Sequence, residues 1–188
     1  MYVLKRPFSI SVLLACFWTV SVSAADITAG EQKAANCLGC HGPKGKSTSA
    51  QWPNLAAQQS TYIVNQLNAF KTGTRNNPMM QSMVANLSAD DINNLAAYYS
   101  SQPPVSAGGD PGLAQPGKTK ASMCFGCHGS SAEGNGQFPR LAGQHPGYLV
   151  KQLSSFKEGV RKSGHMQAIA GTLSEDDMKA LAAYFGSL

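Results

Sequence analysis

The 188-residue sequence predicts an all-α protein built from two tandem helical domains. Three observations carry this prediction. The chain repeats itself once, with Cys37 matching Cys124 at an offset of 87 and Pro53 through Tyr98 matching Pro139 through Tyr184 at an offset of 86. Apolar residues recur at helical spacing, and no segment reads convincingly as a strand. Each copy also carries one Cys-x-x-Cys-His motif, Cys37-Leu38-Gly39-Cys40-His41 and Cys124-Phe125-Gly126-Cys127-His128.

The N-terminus reads as a signal peptide over residues 1–24. Lys5 and Arg6 form its positive end, Phe8 to Val22 its apolar stretch, and Val22-Ser23-Ala24 a small-residue cleavage site. The apolar stretch falls short of the roughly 20 residues that span a bilayer. Leu13-Leu14-Ala15-Cys16 looks like a lipobox, but apolar residues continue through Phe17, Trp18, Val20 and Val22, which argues against lipidation. Cleavage lowers the formal charge from +5 to +3 and removes Cys16, so every remaining cysteine lies in the two motifs and none is left for a structural disulfide.

The first domain is placed at 25–101. Its first helix starts near Thr28, and its counterpart near Pro116; both are expected to run into the motif cysteines. Cys-x-x-Cys-His is the signature of covalent haem attachment. Positions i and i+3 share a helix face, so two thiols can form thioethers to one porphyrin, and the adjoining imidazole lies against the iron. Cys37, Cys40, Cys124 and Cys127 are therefore expected to bind two haem c groups, one per domain, with His41 and His128 as proximal ligands. A lone Cys-x-x-Cys could also be a redox dithiol or half a zinc site. The duplication, the export signal and the downstream methionines favour haem.

Gly-rich loops follow, at Gly42 to Gln51 and Gly129 to Gln137. Pro53 and Pro139 lie where a carbonyl could accept the second ring N–H of the histidine. The second helix is expected from Ser60, a candidate N-cap, to Thr72, and its twin from Pro146 to Glu158. Tyr62, Tyr148, Trp52 and Phe138 are expected on or near the haems. Arg75 and Arg161 are candidate partners for haem propionates, with a solvated arginine as the alternative. His145, the counterpart of Gln59, reads as a surface histidine.

Three methionines, Met79, Met80 and Met83, compete for the sixth position in the first copy. The repeat aligns Met79 with His165, Met83 with Ile169 and Met80 with Met166, so only Met80 and Met166 keep methionine in both copies. They are the expected distal ligands, with His165 as the rival in the second copy. The last helix of each copy opens with a capping box, Ser88-Ala89-Asp90-Asp91 or Ser174-Glu175-Asp176-Asp177. It presents Ile92, Leu95 and Tyr99, or Met178, Leu181 and Phe185, on one face. A Pro/Gly-rich linker is placed at 102–116 and the second domain at 117–188.

These motifs together resemble the dihaem cytochrome c4 family. The resemblance spans about residues 25–188. It rests on the two Cys-x-x-Cys-His motifs and on Pro-x-Leu-Ala-x-Gln at 53–58 and 139–144. It rests also on Tyr-x-x-x-Gln-Leu-x-x-Phe-Lys-x-Gly-x-Arg at 62–75 and 148–161, and on Met-x6-Leu-Ser-x-Asp-Asp at 80–91 and 166–177. The family implies two tandem class I cytochrome c domains, each wrapped around one covalently bound haem and related by a pseudo-twofold axis. It implies a periplasmic electron-transfer protein whose partners are an upstream cytochrome or reductase complex and a terminal oxidase. His/Met ligation fills all six iron positions, which argues against an enzyme. The alternative is a dihaem cytochrome subunit of a larger oxidoreductase, of the flavocytochrome or thiosulfate-oxidising type. No basic run of nucleic-acid type appears, and peripheral membrane association is left open. The second domain carries +3 and the first +1, so partner steering is expected to differ between the ends.

Overall fold

The computed structural model describes residue 2 and residues 24–188. Most of the signal-peptide reading, Cys16 included, lies outside the described residues. Among the described residues the architecture is helical, with no β-structure beyond one isolated bridge between Asn135 and Phe138.

In the first copy, α1 spans Ile27–Ala34, α2 Leu38–His41, α3 Ser60–Lys71, α4 Pro78–Val84 and α5 Ala89–Ser100. The second copy repeats this order. There α6 spans Pro111–Lys120, α7 Ser122–His128, α8 Pro146–Lys157, α9 Gly164–Gly171 and α10 Glu175–Ser187. The first helix of each copy is broken before its cysteines rather than running through them. After α1 the chain tightens into a 3-10 turn at Ala35–Cys37, and in the second copy α6 and α7 part at Ala121.

The first helix of the second copy starts at Pro111, not near Pro116. Asp110 Oδ1 accepts from the N–H groups of Gly112 (2.8 Å) and Leu113 (3.1 Å), and Pro111 takes the first helical position. An N-cap aspartate followed by proline is a helix start, because that N–H has no intrahelical partner in any case. Pro116 sits inside α6 and forgoes one backbone bond. Residues 106–109, read as free linker, pack on the second copy: Ser106 Oγ donates to Gly186 O at 3.0 Å and Ala107 N to Gly143 O at 3.1 Å.

Within each copy the first helix crosses the last at a glycine. A Cβ at Gly30 would lie 2.1 Å from Asn94 O, and one at Gly117 2.0 Å from Ala180 O. Only glycine lets the backbones approach this closely. The expected faces are the cores: Ile92, Leu95 and Tyr99 of α5, and Met178, Leu181 and Phe185 of α10, are all buried. Each such side chain contributes roughly 1.5–3 kcal/mol over its exposed state.

Both capping boxes form. Ser88 Oγ accepts from Asp91 N at 3.0 Å, and Asp91 accepts from Ser88 N at 2.9 Å; the second box closes at 3.1 and 3.0 Å. Lys33 bonds Asp91 at 2.9 Å and Lys120 bonds Asp177 at 2.6 Å, tying the two crossing helices together. These lysines first, and the serine N–H groups next, hold both carboxyls down to about 2.

Ser60 is the first helical residue of α3 rather than its N-cap. Gln59 holds the cap position, and His145 does so for α8; neither side chain caps its helix. Both are engaged on the other copy instead, as described below.

Candidate functional site

The two motif histidines are buried, His41 at 8% and His128 at 6% exposure. His41 Nδ1 lies 2.9 Å from Pro53 O, and His128 Nδ1 2.8 Å from Pro139 O. A carbonyl only accepts, so Nδ1 carries the proton in both rings and Nε2 presents a lone pair. Burial pushes both imidazoles below the ordinary histidine range, against the opposing pull of the proline carbonyl. Each imidazole is thus held neutral and oriented, with Nε2 free of the proline contact. The positive-φ glycines Gly42 and Gly129 end α2 and α7 directly after them, which turns the chain back toward the prolines.

Cys37 and Cys124 are half-buried, whereas Cys40 and Cys127 are exposed. Burial pushes the Cys37 and Cys124 thiols up. An attacking redox thiol needs a depressed pKa, so neither Cys37 nor Cys124 suits that role. Among the described residues, no three His, Cys, Asp or Glu side chains converge as a metal site.

Met80 and Met166 are half-buried on α4 and α9. These helices are short, and the periodic pattern does not announce them. Pro78 occupies the first position of α4, and Asn77 Oδ1 accepts from Met80 N at 3.1 Å, which anchors the backbone at the methionine. The rivals are more open: Met79 is 51% and Met83 47% exposed, and His165 is exposed. The α4 helix packs on α3, and α9 on α8.

Between the two motifs lies an interface of reciprocal contacts. Gln58 Oε1 accepts from Arg140 N (2.7 Å) while its Nε2 donates to Arg140 O (3.1 Å). Gln144 does the same to the backbone of Asn54, at 2.8 and 2.9 Å. Gln59 Nε2 donates to Glu133 O at 2.9 Å, and His145 Nε2 lies 3.0 Å from Ser47 O. In every pair the repeat maps one contact onto the other, which is the mark of an isologous, pseudo-twofold interface. His145 is therefore an interface residue, not the surface histidine expected.

Arg75 and Arg161 are likewise neither solvated nor isolated. Arg75 donates to Gln66 Oε1 (2.8 Å) in its own copy and to Tyr148 Oη (3.1 Å) and Gln152 Oε1 (2.8 Å) across the interface. Arg161 mirrors this with Gln152, Tyr62 and Gln66, each at 2.8 Å. Each guanidinium also lies over a phenylalanine, Arg75 4.5 Å from the Phe70 centroid and Arg161 4.6 Å from that of Phe156. Burial would lower the Arg75 guanidinium and raise the Tyr148 phenol. Their pairing outweighs burial, so Arg75 is held above its usual range and Tyr148 below. Tyr62 and Tyr148 thus serve the interface. Phe138 stays beside a motif histidine, its ring edge-on to His128 with centroids 6.3 Å apart, and Trp52 is half-buried in the equivalent loop.

Sequence reasoning did not assign roles to Gln58, Gln144, Gln66, Gln152 or Asn54. The first four did carry a signal, since a glutamine repeated at the same register of both copies, among apolar positions, needs a buried partner.

The cytochrome c family model matches residues 27–102 and again 114–188. Cytochrome c4 of Azotobacter vinelandii is 37% identical over 190 residues, covering 88% of this chain and 90% of that protein. A thiosulfate dehydrogenase electron acceptor of Thiomonas intermedia is 32% identical, covering 98% of this chain and 91% of that one. The crystal structure of reduced recombinant cytochrome c4 from Pseudomonas stutzeri superposes with a TM-score of 0.82 at 36% identity, over 88% of this chain and all of that one. Two cytochrome c domains imply one haem c in each. With two motif histidines held alike, two domains docked by reciprocal contacts and these likenesses end to end, the chain belongs to the dihaem cytochrome c4 family of electron-transfer proteins.

Proposed function

We propose that this protein is a periplasmic electron carrier, not an enzyme, that passes electrons from a redox partner protein towards a terminal oxidase. Cys37 and Cys40 hold one haem through thioethers, and Cys124 and Cys127 hold the other. His41 and Met80 ligate the first iron, His128 and Met166 the second. The observation that carries this reading is the matched pair of buried histidines, each with Nδ1–H given to a proline carbonyl and Nε2 left to coordinate.

The bound haems supply a one-electron ferric/ferrous couple. The chain's part is to keep that couple closed and rigid. Pro53 and Pro139 fix the imidazole planes and raise ligand basicity. The Asn77 cap holds the backbone at Met80. A methionine sulfur held against each iron would leave no position for substrate and would favour the reduced state. The remaining guanidinium donors of Arg75 and Arg161 suit haem propionates at the interface, where among the described residues no carboxylate side chain pairs with either arginine. The interface holds the domains in one arrangement, so an electron can enter one copy and leave from the other. The signal peptide read at 1–24 directs the chain to the periplasm, and no described helix is long and apolar enough to cross a membrane.

A second reading concerns the donor. The Thiomonas intermedia relative is named an electron acceptor of thiosulfate dehydrogenase and matches nearly the whole chain. On that reading the electrons come from oxidation of an inorganic sulfur compound. The first test is a visible spectrum of the reduced holoprotein with and without carbon monoxide. An unchanged spectrum is expected. A rapid stoichiometric shift in one haem would mean an open iron and sink one methionine assignment.

A further inference from the structure

The two copies differ at one buried position next to their cysteines. Tyr99 of α5 is 3% exposed, and its counterpart at the same register of α10 is Phe185, 4% exposed. The Tyr99 ring packs at 5.1 Å from the Tyr98 ring and against the Gly45 loop, where a Cβ would meet its Cδ1 at 2.9 Å. Its backbone carbonyl accepts from Ala57 N at 3.0 Å, as that of Phe185 accepts from Gly143 N at 2.7 Å. The ring is therefore locked, and its hydroxyl cannot swing to solvent. That hydroxyl is the one buried side-chain N or O atom among the described residues without a hydrogen-bond partner. Cys37 packs against the same cluster. Burial first, and the neighbouring Cys37 thiol next, push the Tyr99 phenol up.

A buried hydroxyl without a partner is destabilising, whereas phenylalanine at this position carries no such penalty. The second copy uses phenylalanine, and there Phe185 meets Phe125 edge-on at 6.3 Å. At the position of Phe125 the first copy has Leu38.

We propose that the Tyr99 hydroxyl is a tuning residue of the first haem site, donating its proton toward the Cys37 sulfur once that sulfur is a thioether, and so making the two haems of this chain inequivalent. The inference rests on the dihaem carrier reading. The physical reason is electrostatic. The positive end of the O–H dipole near the porphyrin edge disfavours the extra positive charge of ferric iron, so the first site is biased toward ferrous. One electron arrives from a redox partner protein, and no proton leaves the tyrosine.

The test uses the intact holoprotein. The haem content of wild type and Tyr99→Phe is counted by pyridine haemochrome, and both are titrated potentiometrically while the haem methyl resonances of each domain are followed by NMR. In Tyr99→Phe the first-domain haem is expected to shift toward ferric by about two- to tenfold in its ferrous/ferric ratio at fixed potential, the size of one neutral hydrogen bond. The second haem stays in place. Phe185→Tyr moves the second haem toward ferrous by a comparable factor. Unmoved midpoints in Tyr99→Phe, equal movement of both haems, or a shift toward ferrous overturns the proposal and leaves the carrier reading standing. Fewer than two haem c per wild-type chain overturns the carrier reading, and the proposal with it.

Discussion

The two copies share a scaffold and differ in how they fill it. Gly45 and Ala132 stand at equivalent left-handed positions, as do Ala57 and Gly143, with φ between 55° and 76° at all four. In both copies the first of these residues presents a carbonyl that takes two backbone N–H groups, from Leu55 and Ala56 or from Leu141 and Ala142. The loop geometry is held whichever residue occupies it. What the copies exchange is chemistry at the edges: Tyr99 for Phe185, Leu38 for Phe125, Gln59 for His145. The lesson is that the duplicated backbone is constrained by hydrogen bonds, while the side chains around each cysteine pair are free to diverge.

Substitutions at the left-handed positions separate the two copies most strongly. A Cβ at Gly143 would stand 1.7 Å from Val105 O, so Gly143→Ala must lift the linker off the second copy. A loss of roughly 3 kcal/mol or more is expected in thermal or denaturant unfolding. The mirror change, Ala57→Gly, relieves a left-handed alanine and should stabilise by up to about 1 kcal/mol after the entropy of glycine is counted. Equal effects at the two sites would show that the copies are not distinguished by their surroundings.

The interface glutamines sharpen the opposite point, equivalence. Gln58→Leu strands the backbone N–H and C=O of Arg140, and Gln144→Leu strands those of Asn54. Each should cost about 2–3 kcal/mol. Both should split one unfolding transition into two in calorimetry, as the domains uncouple. A single unchanged transition in either variant would contradict the interface described here.

The acid limb tests the scaffold with the smallest expected effect. Asp91 and Asp177 titrate near 2 in the fold and near 4 when unfolded. A depressed carboxyl contributes stability above its unfolded value and loses it as pH falls through the folded one. Stability should therefore decline from about pH 4 to about pH 2. Asp91→Asn and Asp177→Asn should each flatten that decline by a similar amount; a profile unaltered by either would remove these pairs from the acid response.

Much of this was legible in the chain. The repeat, the histidines, the capping boxes and the buried faces of α5 and α10 all follow from local spacing. The helix start at Pro111 is ambiguous locally because Asp-Pro-Gly is a turn signal as well as a helix start, and the packing of α6 on α10 decides between them. The short α4 and α9 escaped notice because seven or eight residues hold too few turns to show a period. The interface contacts of Arg75, Arg161 and His145 are not legible for a different reason: their partners lie 73 to 99 residues away, in the other copy.

What each copy is follows from its residues alone, because motif spacing, helix caps and apolar period act over a few residues. How the copies face one another depends on packing between them. A glutamine at a given register has the same local environment whether its partner is solvent or the backbone of a sister domain. Docking brings Gln58 to Arg140 and Gln144 to Asn54, and it is the desolvation of those groups that turns a repeated polar residue into the joint between two domains.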